Sequence, residues 1–95
     1  MTIMVLLKRQ APEEKFDELK ELIDQLRSAT FGQPGYISGE TLKRIDQTGE
    51  CLVIAKWKSR ADWERWFQIP KRADIQRKID ELLGTPTEYE IYEYQ

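Results

Sequence analysis

The sequence predicts an α+β fold in which strands and helices alternate in the order strand, helix, strand, strand, helix, strand. Apolar residues run almost continuously or at every second position in the strand segments, and at three- to four-residue spacing in the helical ones. Gly and Pro residues punctuate the boundaries between these segments. At 95 residues the chain has the length of one domain with a modest core. We therefore expect a single domain over residues 1–95.

Residues 2–9 form the first predicted strand, because they are apolar almost throughout and suit a strand with neighbours on both sides. An amphipathic helix follows. Pro12 suits a first helical position, two glutamates follow it, and apolar residues then recur at helical spacing between residues 16 and 26. We expect this helix to end near Phe31, where glycine and proline prevent continuation.

The segments 36–45 and 51–57 are predicted to form a β-hairpin, with the turn around Gly49. The first segment alternates weakly, and the second is more apolar. Together they supply the second and third strands.

Ser59 is predicted to cap the next helix, with the carboxylate of Asp62 reaching back to the Ser59 amide. Pro70 is expected to interrupt this helix after about three turns, because proline cannot donate a backbone hydrogen bond. A second helical piece then ends at Gly84. Residues 85–94 alternate again and form the last predicted strand.

This order of elements folds most simply as an antiparallel sheet of ferredoxin-like βαββαβ topology, with the helices on one face. The strands nevertheless carry apolar residues at both parities, as Leu52 and Ile54 alternate with Val53. The sheet face away from the helices must therefore also be covered. We expect a homodimer in which two sheets pack into a shared α/β barrel.

Several kinds of function are disfavoured by composition. The chain has no histidine and no asparagine, and the carboxylates between Glu13 and Glu21 fall on an exposed helix face, so we predict no metal site. A net charge of -2 argues against a nucleic-acid surface. No apolar run approaches the length of a membrane span, and we expect no leader peptide before the first strand. The lone Cys51 is interpreted as a small buried side chain in a reducing compartment, and we expect a cytoplasmic protein.

The segment Lys56–Trp66 combines a strand-end tryptophan, a polar cap and an amphipathic helix. In this it resembles the antibiotic biosynthesis monooxygenase family, whose members are small dimeric α+β barrels. Gly35-Tyr36-Ile37 at the start of the second strand and Glu90–Tyr94 in the last strand are similar to the family in placement. The resemblance spans nearly the whole chain, but the family includes several activities, and fold alone does not choose among them.

The haem-degrading branch of the family uses an asparagine on the first strand, a tryptophan on the second helix and an iron-binding histidine. Trp66 matches the tryptophan, whereas Leu7 and Gln76 occupy the other two positions. Leucine cannot hydrogen-bond a bound oxygen, and an amide is a poor axial ligand for iron. The resemblance therefore argues against haem degradation, and we predict no cofactor.

The cofactor-free oxygenase branch holds an electron-rich phenol in an apolar pocket while the phenolate reacts with dioxygen. The resemblance implies Trp66 as an aromatic wall and Arg72 or Tyr36 as a polar contact, since a permanent cation favours the deprotonated substrate. We expect the pocket between the sheet and the helices. Its predicted lining is Ile3, Val5, Leu7, Trp66, Phe67, Ile69 and Gln76.

Packing is the competing interpretation for most of these side chains. Trp63 and Phe67 fall on an ordinary core-facing stripe, and Trp57 is interpreted as a structural plug at a strand end. Arg72 and Gln76 are interpreted mainly as solvated helix residues. Two functions stay open: a cofactor-independent monooxygenase for a phenolic or quinol-like aromatic molecule, and a non-catalytic small-ligand-binding or assembly module on the same barrel.

Overall fold

The fold is built on a four-stranded antiparallel sheet in the order β2-β3-β1-β4. The computed structural model describes residues 1–95. The strands are β1 (Ile3–Gln10), β2 (Tyr36–Lys43), β3 (Glu50–Trp57) and β4 (Glu88–Glu93). The apolar strands β1 and β3 lie at the centre, as their lack of a polar face requires. This order confirms the predicted ferredoxin-like α+β topology.

The helices are α1 (Phe16–Thr30), α2 (Arg60–Phe67) and α3 (Pro70–Leu83). A short 3₁₀ turn, in which the Lys15 amide donates to the Pro12 carbonyl at 2.9 Å, precedes α1. Pro12 therefore lies before the α-helix and not at its first position. None of the helices has the length and hydrophobicity needed to cross a membrane.

Ser59 caps α2 as predicted, since its hydroxyl oxygen accepts from the Asp62 amide at 3.1 Å. The return bond differs from the prediction, because the Asp62 carboxylate accepts from the Ser59 hydroxyl at 2.9 Å and not from the Ser59 amide. α2 also ends after 8 residues, sooner than the three turns expected. Pro70 is the first residue of α3, where its missing N–H has no helical partner to lose.

The buried hydrophobic residues form two clusters. The α1–α3 cluster packs the two long helices against one end of the sheet and consists of Ala11, Leu19, Ile23, Cys51, Ile75, Ile79 and Leu83. The tryptophan cluster packs α2 against the other end and consists of Ile3, Val5, Trp57, Trp63 and Trp66. Between the two clusters the helices are not packed fully against the sheet, which leaves a cleft.

The sheet face away from the helices carries a second set of apolar side chains. Met4 and Leu6 of β1 lie beside Leu52 and Ile54 of β3, with Leu6 directly opposite Ile54. All four are half-buried within the single chain. The period-two alternation therefore places an apolar patch on a surface that no helix of this chain covers.

Candidate functional site

The cleft opens between the sheet and the helices α1 and α2. Its cavity volume is about 70 Å³. Leu7, Val53 and Ala55 form an apolar floor, because residues of equal parity on β1 and β3 point to the same side. Residues of α1 form the facing wall: Ile23, Leu26 and Thr30. An apolar floor suits an apolar ligand.

Tryptophan side chains close one end of the cleft. Trp57 is 1% exposed and Trp66 is 7% exposed, and their rings lie nearly parallel with centroids 6.3 Å apart. Trp63 completes this end from the same helix. Nε1 of Trp57 is buried and has no hydrogen-bond partner in the protein. Trp57 is therefore packed in the core at the strand end, as its interpretation as a structural plug requires.

Tyr36 lies beside Trp57, with ring centroids 5.3 Å apart in an edge-to-face arrangement. Its hydroxyl takes the space that a side chain at position 39 would need, because a Cβ on Gly39 would lie 2.7 Å from the Tyr36 oxygen. Burial raises the pKa of Tyr36, and the positive charge of Arg27 opposes that shift in part. The phenol therefore stays protonated at neutral pH and can donate a hydrogen bond.

Arg9 lines the other end of the cleft and is 2% exposed. Its Nε donates to Thr87 Oγ1 at 3.1 Å and its Nη2 donates to Gln76 Oε1 at 3.1 Å. Nη1 is buried without a partner. Burial lowers the pKa of Arg9, but a guanidinium remains charged at neutral pH. The cleft therefore contains a cation whose direct acceptors are both neutral.

Sequence reasoning missed Arg9, although the pattern contained a signal. Ile3, Val5, Leu7 and Arg9 share one parity of β1, which is the parity of the helix-facing side. A charged residue at that parity is predicted to be buried. Such a residue is a candidate for function because buried cations need a compensating partner.

The predicted site residues divide between the cleft and its surroundings. Leu7, Trp66 and Tyr36 line the cleft. Ile3 and Val5 lie outside it, because they are packed within the tryptophan cluster at 3% and 0% exposure, and Ile69 packs against the same cluster. The remaining predicted residues, Phe67, Gln76 and Arg72, also lie outside the cleft.

Arg72 is buried and not a solvated helix residue. Its Nε donates to the Phe67 carbonyl at 2.7 Å, and its guanidinium carbon lies 4.2 Å from the centroid of the Phe67 ring. Its Nη1 donates to the Tyr89 hydroxyl at 3.3 Å. These contacts join the α2–α3 junction to β4 and leave Arg72 without access to the cleft.

Gln76 is buried too, contrary to its interpretation as a solvated residue. It accepts from Arg9, and its Nε2 donates to Thr87 Oγ1 at 2.7 Å and to Asp80 Oδ1 at 2.8 Å. Phe67 is 37% exposed on the outer side of α2. Gln76 therefore holds Arg9 in place and does not itself line the cleft.

The structure is similar to several solved structures along its whole length. A conserved protein from Methanosarcina mazei Go1 superposes with a TM-score of 0.91 at 22% identity, over 100% of this chain and 94% of that one. Rv0793 from Mycobacterium tuberculosis has a TM-score of 0.86 at 18% identity, covering 100% and 96%. SnoaB, a cofactor-independent oxygenase from Streptomyces nogalater, has a TM-score of 0.84 at 15% identity, covering 99% and 93%. At these identities the likeness establishes the fold.

The sequence itself also matches a family model. No curated protein matches the chain, whereas the model for antibiotic biosynthesis monooxygenases matches residues 2–78. That stretch runs from β1 into α3 and contains every residue that lines the cleft. The chain therefore belongs to the antibiotic biosynthesis monooxygenase family.

Proposed function

We propose that the protein is a cofactor-independent monooxygenase that acts on a phenolic or quinol-like aromatic molecule. The observation that carries this proposal is the cleft, which joins an apolar floor and tryptophan walls to a small number of buried donors. Such a combination is typical of small-molecule sites. Membership of the family supports the reaction class, as does the likeness to a cofactor-independent oxygenase.

The chemistry of an electron-rich aromatic substrate balances without a cofactor. Oxidation of a ring CH₂ group to a carbonyl releases four electrons, and reduction of dioxygen consumes four. One oxygen atom enters the new carbonyl, and the other leaves as water with the two hydrogens of the CH₂ group. The protein then has to bind the substrate, orient it and exclude bulk water from the reacting anion.

Two residues predicted from the sequence keep a role in this proposal. Trp66 supplies an aromatic wall against which a flat ring can pack. Tyr36, which is protonated at neutral pH and whose pKa burial raises further, supplies a donor to an oxygen of the substrate. Arg72 has no such role, since its donors are used by Phe67 and Tyr89.

We further propose that the protein is a homodimer and acts in the cytoplasm. The apolar patch of Met4, Leu6, Leu52 and Ile54 supports the dimer, because an uncovered patch of this kind marks an interface. The buried free thiol of Cys51 supports a reducing compartment.

Oxygen consumption with a panel of anthrones and hydroquinones tests the proposed activity. We expect turnover in the wild type, loss of turnover in Trp66→Ala, and retention in Phe67→Ala, an aromatic truncation next in sequence but outside the cleft. Absence of oxygen uptake with every substrate would contradict the proposal. Saturable quenching of tryptophan fluorescence by the same compounds would then support a non-catalytic ligand-binding module, which the lack of any histidine in the chain also favours.

A further inference from the structure

The cleft is too small for the aromatic ligand that the proposed function requires. Its volume is about 70 Å³, whereas an apolar cavity that takes up benzene measures about 150 Å³. The tryptophans that close one end of it are between 1% and 9% exposed, so they have almost no contact with solvent. An aromatic molecule can therefore enter only if the walls of the cleft move apart.

The walls formed by α1 and β2 are loosely packed against each other. A second cavity, of about 180 Å³, lies next to the cleft between the same two elements. Ile23 of α1 and Thr41 of β2 line both cavities and are the only residues that the two share. We call this boundary, which runs past Ile23 and Thr41, the α1–β2 seam. A wall with cavities behind it loses few packing contacts when it moves.

Of the two walls, β2 is the one with fewer constraints. α1 is held in place by Leu19 and Ile23, which belong to the α1–α3 cluster. β2 is an edge strand that pairs with β3 alone, and 6 of its 8 residues are exposed. Its register with β3 also shifts between Tyr36 and Ser38. Segments with few buried contacts open most easily, so we expect the seam to widen by a tilt of β2 away from α1.

Two polar side chains connect β2 to α1 across the seam. At the far end, Nζ of Lys43 lies 4.9 Å from the centroid of the Phe16 ring. At the mouth of the cleft, Nη2 of Arg27 donates to the Gly39 carbonyl at 3.0 Å, which is the one hydrogen bond between α1 and β2. Arg27 forms no ion pair. This bond is exposed to solvent, so it can break at a small cost in free energy.

We infer that the hydrogen bond from Arg27 to the Gly39 carbonyl is a latch that controls entry of a ligand to the cleft. When the bond breaks, β2 tilts outward and the mouth opens. When it forms again over a bound ligand, the mouth closes and excludes water. Because the bond is present before and after binding, it sets the rates of entry and release more than the affinity. The inference rests on the proposed function only in taking the cleft as the ligand site.

Quenching of tryptophan fluorescence by acrylamide measures the opening, because all 3 tryptophans of the chain line the cleft. Arg27→Met should raise the bimolecular quenching constant about two- to fivefold over wild type, which is the factor expected for the loss of an exposed hydrogen bond from a charged group. Arg77→Met is the matched control, since it removes an exposed arginine of α3 outside the cleft and should be quenched like wild type. Circular dichroism checks that each variant is folded.

The rates of binding separate a latch from an ordinary ligand contact. The probe is 4-nitroanisole, an uncharged and non-fluorescent aromatic, and its binding is followed by stopped-flow tryptophan fluorescence. Arg27→Met should raise the association and dissociation rate constants by the same factor, about two- to fivefold, and leave Kd unchanged. A direct contact between Arg27 and the ligand would instead raise mainly the dissociation rate constant in this variant and weaken Kd.

The inference is overturned if acrylamide quenches Arg27→Met no faster than wild type, or if the variant changes only the dissociation rate constant of 4-nitroanisole. The quenching result decides the matter alone if this probe does not bind. Neither measurement requires turnover. Failure of the oxygen-consumption assay and failure of the latch are therefore separate results.

Discussion

The Nη2 group of Arg9 donates a hydrogen bond to Oε1 of Gln76 at 3.1 Å, which joins the central strand β1 to α3. Gln76 is in turn fixed by its donations to Thr87 and Asp80. The guanidinium is thereby held from two sides, by Thr87 at Nε and by Gln76 at Nη2. These bonds fix the orientation of the guanidinium, so Arg9, Gln76 and Thr87 form one buried polar network.

Replacement of Gln76 by leucine should destabilise the protein. Leucine has a similar size but cannot accept from Arg9, so a buried charged donor loses one of its two partners. We expect a loss of about 2–3 kcal/mol in the free energy of unfolding, measured by urea denaturation. Arg77→Ala, which breaks only exposed ion pairs on the same helix, should cost less than about 1 kcal/mol. Equal losses in the two variants would contradict the role of Gln76.

The close approach of Tyr36 and Gly39 predicts a coupled pair of substitutions. In Gly39→Ala the new methyl group would lie 2.7 Å from the Tyr36 hydroxyl, whereas the next ring atom is 3.7 Å away. Gly39→Ala alone should therefore cost about 1–3 kcal/mol in unfolding free energy, because overpacking forces a side chain to shift. In a Tyr36→Phe background the same substitution should cost little. Additive effects in this double-mutant cycle would show that the hydroxyl does not fill the space.

The cap of α2 predicts a dependence of stability on acid. The Ser59 hydroxyl, and then Arg65, hold the pKa of Asp62 below its ordinary value of 3.8. The pKa of Asp62 is lower in the folded state than in the unfolded state. The ionised carboxylate therefore contributes stability above pH 3.8, and this contribution is lost as pH falls through the folded-state pKa. Urea denaturation between about pH 6 and pH 3 should show a shallower loss of stability in Asp62→Asn than in wild type.

Ser59→Ala provides a check on the cause. It removes the hydroxyl that donates to the Asp62 carboxylate and accepts from the Asp62 amide. The acid dependence should become shallower in this variant as well, together with a loss of about 1 kcal/mol at neutral pH from the missing cap. An acid dependence that is unchanged in both variants would rule out Asp62 as its source.

The apolar patch on the outer sheet face predicts a mutation that separates the proposed dimer. Ile54 lies opposite Leu6 at the centre of this patch. Ile54→Asp places a charge there and should reduce the mass measured by light scattering from two chains to one. Ile45→Asp is the matched control, because Ile45 is 90% exposed in the turn between β2 and β3. A wild-type mass of one chain at micromolar concentration would contradict the dimer itself.

The sheet was predictable because the period of its side chains is strict. The continuous apolar run of β1 identified it as a strand with neighbours on both sides, and the order of elements then left one simple topology. The ends of elements were less predictable. The last strand begins at Glu88, not at residue 85, because Pro86 cannot join a ladder and the Thr87 side chain is engaged by Arg9.

The polar side of the site was harder to predict, for a physical reason. The acceptors of Arg9 lie 78 and 67 residues away in sequence, so its burial depends on contacts that no local pattern encodes. Arg72 and Gln76 looked solvated because charged residues surround them in sequence. Both nevertheless belong to the buried stripe of α3, with Ile75, Ile79 and Leu83 at helical spacing. The spacing of Ile75, Ile79 and Leu83 alone places positions 72 and 76 on the same face of the helix.

The division of the core into two clusters has a consequence for protein engineering. The α1–α3 cluster packs the long helices on the sheet, and it contains no residue of α2. Pro70 begins α3 as a separate helix. Changes to the tryptophan walls on α2 therefore act mainly on the tryptophan cluster, which reaches α1 through Leu26 and Ala29. A library that varies Trp63, Trp66 and the floor residue Val53, with Arg9 kept constant, should yield folded proteins with altered ligand preference.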